Sequence, residues 1–103
     1  MSEGRIQDEI RLALSQLGIV TWRNNCGVAI TDNRTIRYGL AVGSADLIGC
    51  HRGRFLAIEI KTPIGKQRPE QKLFQQLVEA NGGIYVILRS AEEATLWVRN
   101  ELL

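Results

Sequence analysis

The sequence predicts a mixed β-sheet with helices packed against its faces. Three observations carry that expectation. An apolar stripe at helical spacing opens the chain, apolar runs of strand length fill its middle, and a helical pattern, a short apolar run and a second helical pattern close it. The 103 residues fit one domain spanning 1–103. Leu, Ile, Val and Phe make up 31 of them, about 30%, well above the roughly 20% below which chains stay disordered. A core of this size is marginal, and a shared subunit surface would help it.

Ser2 can cap a helix running to about Leu17, and Gly18 can end it. Ile6, Ile10, Ala13, Leu14 and Leu17 form its apolar stripe. Ile19 to Arg23 has strand character. Val28 to Ile30 and Thr35 to Tyr38 flank Asp32-Asn33 as a hairpin, and Gly39 to Gly43 connects onward. Asp46 to Cys50 and Phe55 to Lys61 are the clearest strands, joined by a tight turn at His51-Arg52-Gly53-Arg54. Thr62 to Arg68 is a polar loop. Pro69 suits the first position of a helix, which carries Leu73, Phe74, Leu77 and Val78 on one side and stops at Gly82-Gly83. Ile84 to Leu88 is wholly apolar, the pattern of a buried strand. Ser90 to Glu93 reads as a capping box that opens a last helix toward Asn100.

Composition narrows the function classes. No apolar run approaches a membrane span and no leader pattern opens the chain, so a cytoplasmic protein is expected. Cys26 and Cys50 read as free thiols, and a single His argues against a His/Cys zinc site. The net charge of +2 hides an asymmetry: residues 23–72 hold nine basic and four acidic side chains, whereas the two ends hold four and seven. A basic middle fits a polyanion partner, and it also fits an ordinary solvated surface.

The central hairpin has a definite register. A two-residue turn at Arg52-Gly53 pairs His51 with Arg54, so paired residue numbers sum to 105 and Asp46 falls opposite Glu59. One face carries Leu47, Gly49, Leu56, Ile58 and Ile60 and must be buried. The other runs from Cys50 and Phe55 near the turn to Asp46, Glu59 and Lys61 at the far end. Two carboxylates at ~4 Å repel by roughly 4 kcal/mol at an effective dielectric near 20. Lys61 can offset part of that, and a divalent cation can offset more. Mg²⁺ favours one or two carboxylates, several waters and a substrate phosphate. A salt-bridged cluster at a strand end is the competing reading. On the first helix Glu9 lies at the shoulder of the apolar stripe, as a third carboxylate over the sheet or as an ordinary exposed Glu. His51 reads as a turn residue, and Trp22, Trp97, Phe55 and Phe74 as core.

Gly43-Ser44-Ala45-Asp46-Leu47-Ile48-Gly49, then Glu59-Ile60-Lys61, then Glu70-Gln71 resembles the VRR-NUC family of the PD-(D/E)XK nuclease superfamily. It is most similar to the stand-alone phage and bacterial members. The resemblance runs roughly from Glu9 to Ser90. It implies a restriction-endonuclease-like αβββαβ core, with a central mixed sheet flanked by helices, and a metal-dependent phosphodiesterase. Asp46 and Glu59 match the metal-binding carboxylates, Ile60 the residue whose backbone carbonyl joins them, and Glu9 the acid of the first helix. Lys61 matches the lysine that orients or activates the attacking water, and Gln71 the glutamine of the later helix. Ala45 departs from the Pro usual at its position, which shapes backbone and supplies no chemistry.

The expectation is therefore a Mg²⁺- or Mn²⁺-dependent endonuclease acting on branched DNA such as four-way (Holliday) junctions, as a homodimer in a bacterial or phage-infected cell. Catalysis falls to Asp46, Glu59, Lys61 and Gln71. Metal binding falls to Glu9, Asp46, Glu59 and Ile60. Arg52, Arg54, Lys66, Arg68 and Lys72 are candidates for holding the DNA backbone, each equally a solvated side chain. A non-catalytic nucleic-acid-binding module with the same fold is the alternative.

Overall fold

A computed structural model describes residues 2–103. Helix α1 spans Glu3–Gln16, with the Ser2 side chain accepting from the Arg5 amide and Gly18 in the left-handed region just past its end. Strands β1 (Thr21–Arg23), β2 (Gly27–Ile30), β3 (Thr35–Tyr38), β4 (Leu47–His51) and β5 (Arg54–Ile60) follow. Helix α2 (Pro69–Ala80), strand β6 (Ile84–Leu88) and helix α3 (Ala91–Trp97) complete the order, and α3 runs on into a wider π-type turn, Val98–Leu102.

The main sheet has the order β1-β4-β5-β6, antiparallel except for the parallel β5–β6 pair joined through α2. Strands β2 and β3 form a separate hairpin. Helices α1 and α3 cover one face of the main sheet. There Ile6, Ile10 and Leu14 meet Leu47, Leu56, Ile58, Ile60 and Leu88, closed by Val98 and Leu102. Helix α2 covers part of the other face, where Val78 and Phe74 meet Ala57 and Tyr85. A mixed sheet flanked by helices is what the sequence predicts.

Strand β6 lies at the sheet edge, and its apolar run reflects two covered faces, α2 on one side and α3 on the other. Two details differ from the sequence reading. Leu73 and Leu77 are exposed, because α2 turns Gln71 and Val78 toward the sheet instead. Trp22 and Phe55 are exposed as well, since α2 leaves β1 and the turn end of the β4–β5 ladder uncovered on that face. No helix among the described residues is long and apolar enough to cross a membrane.

Candidate active site

The β4–β5 ladder pairs Leu47 with Ile58, Ile48 with Ala57 and His51 with Arg54, the expected register. Arg52 and Gly53 both have positive φ, the backbone of a two-residue type I′ turn, which fixes that register. The ladder stops at Leu47, one residue short of the expected Asp46–Glu59 pair. Asp46 instead uses its side chain: Oδ2 accepts from the Ile60 amide at 2.8 Å. That bond holds the carboxylate across the strand end beside Glu59.

Two further anchors hold Asp46. Its own carbonyl accepts from the Asn24 amide at 2.9 Å. The Asn24 side chain donates to Ser44 Oγ and to the Ala45 carbonyl, both at 2.8 Å. Gly43, at φ +86°, lies so close to the Glu70 carbonyl that a β-carbon would clash with it, so the loop is held against the start of α2. Asn24 was not evident from sequence, because nothing in the local pattern marks a residue that acts twenty positions downstream.

Glu59 is only 2% exposed. Its Oε1 accepts from Gln71 Nε2 at 3.0 Å, and its Oε2 is buried with no donor to accept from when the carboxyl is ionised. Burial pushes its carboxyl up from 4.5 to about 8, reinforced by a proton shared with Asp46 and by the Asp46 charge, while Lys61 opposes the shift. Gln71 has two tasks. Its Oε1 accepts from the Arg68 amide at 2.8 Å, capping α2, so its amide nitrogen must point at Glu59.

A cavity of about 400 Å³ brings together Asp46, Glu59, Lys61, Lys66, Arg68 and Gln71. Its floor is anionic and its rim cationic. One guanidinium nitrogen of Arg89 donates to the Thr62 and Gly65 carbonyls at 2.6 Å each, pinning the loop that carries Lys61 into Lys66.

Four of the residues expected at the site lie elsewhere. Glu9 pairs with Arg5 at 3.7 Å, and Glu3 lines the cavity in its place. Glu3 continues the 3-6-10-14 line of the buried α1 stripe beyond its N-terminal end, whereas Glu9 is off that line; this spacing could have identified it. Arg52 and Arg54 sit at the turn, about 17 Å of strand from Glu59 at 3.3 Å per residue. Arg54 Nε instead donates to the Gly82 carbonyl behind α2. Lys72 is exposed on α2 and outside the cavity lining, one step round the helix from Gln71. His51 bonds the Leu102 carbonyl through Nε2 at 3.1 Å, a structural role.

No family model matches the chain, and no curated protein matches it by sequence. A solved structure titled "VRR_NUC domain" superposes with a TM-score of 0.68, covering 96% of both chains at 19% identity. The chain therefore has the VRR-NUC fold, the fold that the sequence resemblance implies.

Proposed function

We propose that the chain is a divalent-metal-dependent DNA endonuclease, selective for branched DNA such as four-way junctions and active as a homodimer. The observation that carries this reading is Glu59. A buried carboxylate with an unpartnered oxygen is costly, and Asp46 beside it deepens the cost. A cation would satisfy both groups. Among the described residues no three His, Cys, Asp or Glu side chains converge as a metal cluster. Asp46 and Glu59 line the cavity and fit Mg²⁺ or Mn²⁺, which binds through one or two carboxylates with waters and substrate phosphate, with the Ile60 carbonyl the third ligand that the resemblance implies. Such an ion lowers the pKa of bound water and stabilises charge on the phosphate.

The chain's own groups supply the rest. Gln71 Nε2 fixes Glu59 Oε1 and leaves Oε2 for the cation. The Ile60 amide sets the Asp46 rotamer. Lys61, 8% exposed beside Glu59, orients the attacking water in line with the scissile bond. Lys66 and Arg68 on the rim hold the flanking phosphate oxygens.

One observation favours the alternative, a non-catalytic binding module. At neutral pH a proton shared by Asp46 and Glu59 would by itself relieve their repulsion. For the homodimer, the uncovered part of that face supports a shared surface: Trp22 on β1 is 55% exposed, Phe55 is exposed on β5, and Leu73 and Leu77 are exposed along α2. Cleavage of linear, nicked and four-way DNA in Mg²⁺, Mn²⁺ or EDTA tests the reading. Metal-dependent cuts favouring the junction are expected; binding without cleavage in either metal would support the module instead.

A further inference from the structure

A groove of about 530 Å³ runs between the β2–β3 hairpin and the 39–45 loop. Its volume lies in the range of ~300–1,000 Å³ typical of pockets that enclose a small ligand. Asp46, Ser44 and Gly43 line both this groove and the smaller cavity, so the two adjoin at Asp46. The walls are built. Gly39, at φ +85°, approaches the Asn25 carbonyl and Cys26 too closely for a side chain, and Gly43 approaches Glu70 in the same way. The end of the Tyr38 ring lies over Gly27, where a β-carbon would collide with it. One side of the ring therefore rests on backbone while the residue stays 50% exposed.

The lining has a definite chemistry. Tyr38 and the apolar Leu40 and Val42 face the groove, Arg37 is its only cation, and Asp46 at the inner end is its only acid. A flat, uncharged ring attached to a phosphate matches that set. Such rings stack on aromatic side chains at about 1–3 kcal/mol per base. We infer that this groove receives one unpaired nucleotide next to the scissile phosphate, with its base stacked on Tyr38 against the wall formed by Leu40 and Val42. The inference rests on the nuclease reading for the position of the cut. It adds a substrate requirement: the base beside the cut is flipped out or unpaired, as at a branch point, because a base inside a duplex has both faces covered by its neighbours and none free to stack on Tyr38.

The test uses the full chain and DNA oligonucleotides carrying 2-aminopurine at each position in turn, paired or unpaired. Fluorescence reports stacking on binding, and cleavage in Mg²⁺ or Mn²⁺ maps the cut independently. Wild type should change the fluorescence sharply at one unpaired position within a nucleotide of the cut. Tyr38→Ala should abolish that change and raise KM roughly tenfold with little effect on kcat, and Tyr38→Phe should restore both. Val42→Glu, on the opposite and exposed wall, should weaken the signal without touching the hairpin. An unchanged signal in both Tyr38→Ala and Val42→Glu, or a responsive base far from the cut, overturns the inference. A Tyr38-dependent signal without any cleavage supports a base site and overturns the nuclease reading alone.

Discussion

The two ends of the β4–β5 ladder share one register but carry opposite charge, basic at the turn and mainly acidic at the open end, and they differ in how that charge is held. At the turn end Arg52 and Arg54 are exposed, and Arg54 is committed to the Gly82 carbonyl. At the open end Asp46 and Glu59 are held by the Ile60 amide and Gln71, with one carboxylate oxygen left unsatisfied. Charge at the turn is solvated and cheap. Charge at the open end is buried, costly and oriented. The expense of holding a group in place, more than its charge, separates a chemical site from a polar surface.

Substitutions at the two ends should separate most widely in cleavage. Asp46→Asn or Glu59→Gln should reduce it by about 1,000-fold or more, given the several kcal/mol that a metal contributes. DNA binding should persist or improve as negative charge leaves the floor. Arg52→Ala should stay within about twofold. Comparable losses at both ends, measured with labelled junction DNA, would break the comparison.

Lys61→Ala should lower the rate by roughly 100-fold or more at every pH from 6 to 9, with little change in melting temperature. Equal activity across that series would reduce Lys61 to a salt-bridge residue.

The pH dependence of stability should also separate the ends. The folded protein keeps a proton on Glu59 up to about pH 8, whereas the unfolded chain loses it near 4.5. The folded state thus binds more protons across that window. The contribution of Glu59 to metal-free stability should be fully present below pH 4.5 and be lost as pH rises to about 8, by at most ~1.4 kcal/mol per pH unit. Melting in EDTA checks this against Glu59→Gln, whose profile should be flatter. Parallel profiles would mean that Glu59 ionises normally.

Smaller effects should come from the supports. Gln71→Ala loses both the α2 cap and the Glu59 bond, and should cost about 1–3 kcal/mol in chemical denaturation. Arg54→Ala loses one exposed bond to Gly82 and should cost no more than about 1 kcal/mol.

What sequence could reveal followed from local periodicity. The ladder register was legible because Arg52-Gly53 permits a two-residue turn and the apolar alternation on both sides agrees with it. The capping of α1 and the Pro69 start of α2 were legible for similar reasons. Asn24 and Arg89 were not, because each acts through backbone carbonyls distant in sequence and carries no pattern of its own. Glu9 draws attention in the sequence because it lies at the shoulder of the apolar stripe, a position suited to reaching over a sheet. The packed helix instead aims the residue that continues its buried line. The exposure of Trp22 and Leu77 escaped prediction because an aromatic in a strand or a Leu on a helix stripe gives no sign of whether a second layer covers it.

The central claim is that the open end of the ladder is a divalent-cation site whose cation replaces a proton. Calorimetric titration of Mn²⁺ at pH 7, repeated in buffers of different ionisation enthalpy, tests it directly. Wild type should bind about one ion and release close to one proton, as a carboxyl with a pKa of about 8 requires. Release should fall at pH 9, and Glu59→Gln should lose binding. Binding that survives in Glu59→Gln, or no binding by wild type, would contradict the account.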